Sequence, residues 1–235
     1  MKEFEKNILK SFNNNVLSTK NIVRFGLQKN KTKLIFSSSA AIYGKVSRKK
    51  IKESSSKKPV NYYGLSKLVC ENIIENSLKR KKNNYALLRY FNVVGSIVDF
   101  KIKKKVNSLF DTIIKNIKNK RKYININGRN LNTKDGTPER DFIHIQDLCK
   151  IHENAYKYLN KNKNIILNCG SGTRYSVHDV IKEFEKKTNK KFIISYKITN
   201  SNETNTICAD INLLKNLFKM NIEKKKLSDL VEDYL

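Results

Sequence analysis

Short apolar runs alternate with amphipathic segments along this chain, and that alternation limits its fold more than any other feature. Three runs are short and almost continuously apolar, which is typical of strands buried on both faces of a sheet: 33–36, 85–90 and 165–167. Longer segments at 62–82 and 147–159 place apolar residues at helical spacing. Strands that alternate with helices predict an α/β fold with a largely parallel sheet.

The same patterns predict the other elements and the place of a site. Further helices are expected at 2–29, 109–118 and 177–187, the last capped by Ser176, and further strands at 123–126 and 192–196, with helices from there to residue 235. The first apolar run ends in three serines, residues 37–39, and the third ends in the Gly-containing turn 168–172. Polar ends of this kind can carry a site at the carboxyl edge of the sheet.

The composition argues against membrane, secreted and zinc proteins. The chain of 235 residues is 39% hydrophobic, enough for one sizeable core or two small ones. No apolar run approaches the ~18 residues of a membrane span, and the charged first ten residues contain no apolar signal region. The four cysteines lie far apart, with no CxxC pair and no His at ligand spacing. We therefore expect a cytoplasmic protein with reduced thiols and no metal site.

The net charge of +28 raises nucleic-acid binding as a hypothesis. Lysines lie almost everywhere, however, and aromatic residues do not interleave with the basic runs at 79–82 and 101–105. We expect many solvated positions rather than a specific nucleic-acid surface. A positive field of this size would also suit a substrate that carries a diphosphate.

Tyr63 and Lys67 are four residues apart in a predicted helix, so their side chains share one face. A free tyrosine has a pKa near ~10, and a neighbouring ammonium favours the phenolate. Such a pair can take a proton from a sugar hydroxyl at working pH. Taken alone, the spacing also fits a surface tyrosine beside a solvated lysine.

Five sequence motifs, one of which contains this pair, are together typical of a known protein family. The sequence contains, in order, FSSSAAIYG at 36–44, YGLSK at 63–67, LRYFNVVG at 88–95, DGTPERDFIHIQDL at 135–148 and NCGSG at 168–172. Together they resemble the extended short-chain dehydrogenase/reductase family, and the fourth run resembles its UDP-glucose 4-epimerase branch. The resemblance covers nearly all of the chain.

The resemblance implies an isomerase that interconverts UDP-galactose and UDP-glucose with bound NAD. Tyr63 would take the O4 proton while the cofactor takes a hydride from C4, giving a 4-keto sugar. Ser39 would hydrogen-bond O4 and relay the proton, and Lys67 would lower the Tyr63 pKa and hold the nicotinamide ribose.

Other positions match the ligand contacts of the family. Asn14 and Phe91 match residues beside the cofactor, and Asn92 and Arg140 match residues at the nucleotide end of the sugar. Ser108 stands where the family has a second substrate-binding Asn. From the residues alone, Asn14 could equally be a polar helix residue, and Arg140 could pair with a neighbouring carboxylate. His144 is expected to be a packed structural residue, and His152 and His178 to lie on helix surfaces.

The chain departs from the family pattern at its start and at the uridine end. The family begins with a strand, a Gly-rich turn and a helix that hold the NAD pyrophosphate; the eight glycines here include no GxxGxxG. We therefore expect a partial Rossmann-like parallel sheet without the N-terminal βαβ units and a smaller C-terminal α/β domain. The UDP-sugar end lacks a family aromatic at Asn127 and a family arginine at Asn200.

Domain and partner expectations follow from the resemblance. Residues 1–95 and 141–172 are assigned to the NAD-binding domain, and 96–140 and 173–235 to the UDP-sugar domain. The expected partners are the UDP-sugar and either a second copy of the chain or a complementing N-terminal polypeptide. Two alternatives stay open: a non-catalytic or split-gene fragment of such an epimerase, and a basic nucleic-acid-binding protein.

Overall fold

The computed structural model describes residues 7–26, 32–46, 50–78, 83–95, 108–161, 164–197, 205–220, 222 and 225–235. Within them the strands are β1 (Lys33–Ser39), β2 (Asn84–Tyr90), β3 (Asn92–Val94), β4 (Tyr123–Asn127), β5 (Glu139–His144), β6 (Ile165–Cys169), β7 (Arg174–Ser176), β8 (Ile193–Lys197) and β9 (Thr206–Ile207). The α-helices are α1 (Ile8–Asn21), α2 (Tyr62–Leu78), α3 (Leu109–Lys118), α4 (Ile145–Leu159), α5 (Val177–Thr188), α6 (Asn212–Phe218) and α7 (Leu227–Glu232). The predictions for residues 2–6, 27–29, 79–82, 101–105 and Asn200 lie outside the described residues.

The three predicted apolar strands form one parallel sheet in the order β1-β2-β6. Their carboxyl ends are in register, because Ser39 pairs with Tyr90 and Tyr90 pairs with Cys169. Five of the seven residues of β2 are buried but only one of seven in β1, so β2 is central and β1 is a more exposed strand. The α/β class and the parallel sheet are confirmed.

Alternate residues of this sheet face two apolar clusters, as the period of a strand requires. One face packs against α2 and the π-helical turn Ile22–Gly26 that follows α1. The other face packs against α4, with Ile151, Ala155 and Leu159 buried there. Helices on both faces explain why the strands are almost continuously apolar in sequence.

A second group of strands lies beyond the central sheet. Strand β5 pairs with β3 and β9 in parallel and with β7 in antiparallel orientation, and β4 pairs with β8 in parallel. A separate apolar cluster joins α3, α5 and α7 to these strands, with Phe110 at its centre against Phe142 and Phe184.

Most predicted boundaries agree with the structure to within a few residues. The predicted cap is confirmed, because the Ser176 side chain accepts from the backbone N–H of Asp179, and Asp179 in turn accepts from the Ser176 N–H. Strand β5 was missed. Its residues Arg140, Asp141 and His144 break the apolar pattern, although Asp141 and His144 are buried.

The structure describes all four cysteines and leaves each as a free thiol; Cys70, Cys169 and Cys208 are buried and Cys149 is exposed. Among the described residues, no cluster of three or more His, Cys, Asp or Glu has metal-binding geometry. The part of the chain that the structure describes also contains no helix long and apolar enough to cross a membrane.

Candidate active site

Ser39 and Tyr63 meet at the carboxyl end of β1. Ser39 is the last residue of that strand, and its side chain accepts from the backbone N–H of Ala41 at 3.2 Å. This bond begins a 3-10 turn, Ala40–Tyr43, that bends the chain away from the sheet. The Tyr63 phenol lies in the first turn of α2 and shares a side-chain hydrogen bond with Ser39. The fold therefore brings together Ser39 and Tyr63, the two residues that the resemblance assigns to O4 of the sugar and its proton.

Gly64 allows the start of α2 to approach this turn. A Cβ at Gly64 would lie 2.4 Å from the carbonyl oxygen of Ala41, a distance that no side chain tolerates without movement. The Asn61 side chain accepts from the Gly64 N–H at 2.8 Å and so satisfies one of the free donors at the helix start. The close approach brings Tyr63 to the serine run.

Lys67 follows one turn later on the same face of α2. Its Nζ donates to the carbonyl oxygen of Ser37 at 2.9 Å and lies 5.9 Å from the centroid of the Tyr63 ring. The ammonium also lies 4.9 Å from the centroid of the Phe36 ring, so aromatic faces surround it. One of its three donors is used by Ser37, which leaves capacity to bind a hydroxyl-rich ligand.

The electrostatics of the pair differ from the sequence-based expectation. Burial raises the pKa of Tyr63, and the Ser39 hydrogen bond only partly opposes that effect. Burial also lowers the pKa of Lys67. The expected net lowering of the Tyr63 pKa is therefore wrong for the protein without ligand, because desolvation disfavours the phenolate more than its surroundings favour it.

A buried polar network of Arg89, Glu71 and Tyr43 contacts the serine run through Ser38. The Arg89 guanidinium makes two hydrogen bonds to the Glu71 carboxylate, at 3.0 and 2.8 Å, and both side chains are at most 1% exposed. Glu71 also accepts from the Ser38 hydroxyl at 2.5 Å, and Arg89 donates to the Tyr43 hydroxyl at 2.7 Å. This network was not predicted from the sequence, although a lone arginine inside the apolar run 85–90 is a signal for it.

The two remaining cofactor candidates occupy different settings. Phe91 is 5% exposed and follows β2 directly, with its N–H donating to the Cys169 carbonyl at 3.0 Å. Asn14 lies exposed on α1. Its neighbour Asn15 instead donates to the Ser66 hydroxyl on α2 at 3.1 Å, which ties α1 to the helix that carries Tyr63.

The predicted substrate residues are spread over three elements. Asn92 is exposed at the start of β3. Ser108 is the N-cap of α3, where its hydroxyl accepts from the Asp111 N–H at 3.1 Å. Arg140 is half-buried in β5 and donates to the carbonyls of Glu139 and Asn205 at 3.0 and 3.4 Å. Ser108 therefore caps a helix, a role that was not predicted from the sequence.

Asp141, next to Arg140, joins β5 to the Gly-containing turn. Its buried carboxylate accepts from the N–H groups of Ser171, Gly172 and Ala209 at 2.7 to 3.0 Å. Burial raises the pKa of Asp141, while these donors oppose the rise. A Cβ at Gly170 would lie 2.6 Å from the carboxylate, so the turn needs a glycine there.

The three histidines were only partly predicted. His144 is 2% exposed, and its Nδ1 accepts from the Gln146 N–H at the start of α4, which confirms a packed structural residue. His178 hydrogen-bonds the Tyr196 hydroxyl at 2.9 Å. His152 is half-buried on α4 and hydrogen-bonds the Tyr90 hydroxyl, a contact that was not predicted from the sequence.

Comparisons with known proteins agree with this geometry. The NAD dependent epimerase/dehydratase family matches residues 2–170. The UDP-glucose 4-epimerase of Dictyostelium discoideum is 34% identical over 203 residues, which cover 83% of this chain and 58% of that protein. The UDP-glucose 4-epimerase of Mycoplasma genitalium is 31% identical over 238 residues, covering 97% of this chain and 69% of the relative.

The fold is also similar to solved structures of UDP-glucose 4-epimerases. The UDP-glucose 4-epimerase from Brucella ovis in complex with NAD superposes with a TM-score of 0.89 at 25% identity, covering 98% of this chain and 72% of that one. The enzyme from Bifidobacterium longum in complex with NAD+ and UDP gives a TM-score of 0.86 at 28% identity, with 98% and 70% coverage. This chain spans less than two thirds of several curated relatives, for example 56% of the Schizosaccharomyces pombe protein.

The parallel sheet and the serine, tyrosine and lysine at its carboxyl edge define a Rossmann-like protein of the short-chain dehydrogenase/reductase type. The chain belongs to the NAD dependent epimerase/dehydratase family.

Proposed function

We propose that this chain carries the catalytic and sugar-nucleotide-binding part of a UDP-hexose 4-epimerase that interconverts UDP-galactose and UDP-glucose. The observation that carries the proposal is the assembly of Ser39, Tyr63 and Lys67 at one edge of the sheet. Two UDP-glucose 4-epimerases share this chain's sequence at 34% and 31% identity, which supports the proposal.

Tyr63 is the proposed base that removes the proton from O4 of the hexose. Its hydrogen bond with Ser39 places a hydroxyl beside the phenol, so Ser39 can hold O4 and pass the proton. Bound NAD+ would supply the acceptor for the C4 hydride, leaving a 4-keto sugar. Tyr63 would give the proton back to O4 when the keto sugar, having turned over in the site, is reduced at the opposite face of C4, which would invert C4 and balance the reaction.

The residues present fit the nicotinamide end of that cofactor. Lys67 has free donor capacity beside Tyr63, as a ribose diol requires, and Phe91 packs at the end of the neighbouring strand β2. Because burial raises the pKa of Tyr63 in the unliganded protein, the base form needs further positive charge near the phenol. We propose that Asn14 contributes to the same cofactor site from α1.

The nucleotide end of the substrate is assigned to Asn92, Ser108 and Arg140. A guanidinium binds phosphate oxygens well, and Arg140 lies half-buried on β5 next to Asp141, whose carboxylate binds the Gly-containing turn. We propose a cofactor domain of residues 1–95 and 141–172 and a UDP-sugar domain of residues 96–140 and 173–235. The two apolar clusters follow this division only in part, because Ala209, Ile211 and Leu214 pack in the central-sheet cluster and Val94 and Phe142 in the other. A second copy or a complementing polypeptide as partner, and the cytoplasm as location, belong to the same proposal.

The test is conversion of UDP-galactose to UDP-glucose by the purified protein with added NAD+. Conversion should fall by roughly 10³-fold or more in Tyr63→Phe, because the general base is removed. Tyr62→Phe is the matched control, since Tyr62 is the neighbouring tyrosine and is 56% exposed.

Calorimetry with UDP-glucose provides a second readout that does not need turnover. Binding should persist in Tyr63→Phe and weaken about tenfold in Arg140→Ala, which removes one charge-assisted contact. The proposal would be overturned if the wild-type protein showed no conversion of UDP-galactose and no binding of UDP-glucose.

A further inference from the structure

A line of hydrogen bonds runs from helix α4 to the proposed catalytic lysine. His152 Nε2 hydrogen-bonds the Tyr90 hydroxyl, and that hydroxyl lies 2.7 Å from the Ser37 hydroxyl. The carbonyl of the same Ser37 accepts from Lys67 Nζ at 2.9 Å. Ser37 is therefore held on its side chain by Tyr90 and on its backbone by Lys67.

The position of Tyr90 explains why a tyrosine stands at this strand end. Tyr90 is the last residue of β2 and pairs in register with Ser39, the last residue of β1. Ser37, two residues earlier, is exposed and has the same side-chain direction as Ser39 because strand residues alternate. The phenol of Tyr90 spans from one strand to the next and fixes a serine that the rest of the sheet leaves exposed.

His152 holds the far end of this line. Its ring lies 5.7 Å from the Tyr90 ring, centroid to centroid, on a helix that packs against the sheet. Burial lowers the pKa of His152, so its neutral imidazole can accept the hydrogen bond of the phenol. With that tautomer Tyr90 can donate to His152 and accept from Ser37, so that one hydroxyl serves both neighbours.

We propose that Tyr90 and His152 are positioning residues that hold Ser37, and through its carbonyl the Lys67 ammonium, at the correct distance from Tyr63. The inference rests on the proposed function for its catalytic consequence, whereas its geometric part concerns Lys67 in the protein without ligand. Neither residue needs to touch the sugar. Their contribution is to restrict the motion of a strand edge on which the catalytic lysine depends.

The geometric part is tested by the acylation rate of Lys67, measured residue by residue with mass spectrometry on the intact chain. A lysine that loses its carbonyl acceptor is less protonated and more accessible, so its amine reacts faster. We expect about a fivefold faster reaction at Lys67 in Tyr90→Phe and His152→Leu, and less than about a twofold change in His152→Gln, whose amide can still hydrogen-bond the phenol.

The chain offers a matched control in a second histidine–tyrosine pair. His178 and Tyr196 share a hydrogen bond of 2.9 Å in the α5 and β8 region, remote in sequence from the serine run. His178→Leu and Tyr196→Phe remove the same chemistry and should leave the Lys67 rate unchanged. An unchanged Lys67 rate in both Tyr90→Phe and His152→Leu, or an equal rise in the control variants, overturns the inference.

A turnover assay distinguishes a failure of the positioning role from a failure of the proposed function. For an active protein, Tyr90→Phe and His152→Leu should lower kcat about tenfold with KM for the UDP-sugar within about twofold, and His152→Gln should restore most of kcat. A changed Lys67 rate in a protein that neither converts UDP-galactose nor binds UDP-glucose would refute the proposed function and leave the positioning role standing. Wild-type kcat in both disruptive variants would refute the catalytic consequence.

Discussion

The carbonyl oxygen of Ala41 lies 2.4 Å from the point where a Cβ on Gly64 would stand, so helix α2 and the turn after β1 are in closer contact than any side chain allows. Gly64 sits between Tyr63 and the next helical turn, which carries Lys67. The close contact brings the Tyr63 phenol within hydrogen-bonding reach of Ser39.

Gly64→Ala should therefore move the start of α2 outward. We expect a loss of roughly 1–3 kcal/mol in the free energy of unfolding from overpacking, and a fall of about tenfold or more in kcat/KM because Tyr63 moves from Ser39. Gly26→Ala is the control, since a Cβ there would lie 3.8 Å from its nearest neighbour, a side-chain atom of Ile22. Urea unfolding and the epimerase assay measure both effects, and equal behaviour of the two variants would contradict the steric argument.

Glu71→Gln should be among the most destabilising single changes in the chain. It removes the charge that balances the Arg89 guanidinium, which is 1% exposed. Breaking a buried pair on one side typically costs about 3–5 kcal/mol. The exposed pair Glu153–Lys157 provides the comparison, since Glu153→Gln should change the free energy of unfolding far less than Glu71→Gln does. Similar values for the two variants would show that the Glu71–Arg89 pair is not buried as described.

Tyr43 gives the protein a specific sensitivity to alkaline pH. Burial raises the pKa of Tyr43 from 10.0 to about 12, so the folded state holds this proton more tightly than the unfolded state. The resulting stability is complete below pH 10 and is lost as pH rises from 10 through 12. By linkage the loss has reached about 1 kcal/mol at pH 11.

Tyr43→Phe isolates that effect. The variant lacks the hydrogen bonds with Arg89 and Asn168, each 2.7 Å long, and should be less stable than wild type at pH 9 by about 1–3 kcal/mol. The difference between the two proteins should narrow by about 1 kcal/mol at pH 11. Free energies of unfolding from urea titrations at both pH values provide the measurement, and a constant difference would show that Tyr43 titrates normally.

Ser108→Ala distinguishes a helix cap from a substrate contact. Loss of the capping box with Asp111 should cost about 1 kcal/mol in the free energy of unfolding. Ser176→Ala removes the corresponding box with Asp179 at the start of α5 and should cost a similar amount or more, because Ser176 also donates to Asp135. If Ser108 also binds the UDP-sugar, only its variant should raise KM, by about threefold or more. An unchanged KM in both variants would limit Ser108 to capping.

Much of the fold could be predicted because its signals are local. The runs that became β1, β2 and β6 are apolar on both faces, and helices α3 and α5 follow from spacing and caps. Strand β5 could not be found in the same way, because its buried Asp141 is satisfied by N–H groups from residues about 30 and 68 positions away. A local pattern carries no information about such distant donors.

By itself, the sequence determined the α/β class, the helical face shared by Tyr63 and Lys67, and the family resemblance of the surrounding motifs. Only the tertiary structure decided that burial raises the pKa of Tyr63 and that Lys67 is held by the carbonyl of Ser37. The same holds for His152, which lies on a separate helix and joins the site through Tyr90. Desolvation and backbone approach depend on the packing of segments far apart in the chain, whereas helical spacing is a property of neighbouring residues.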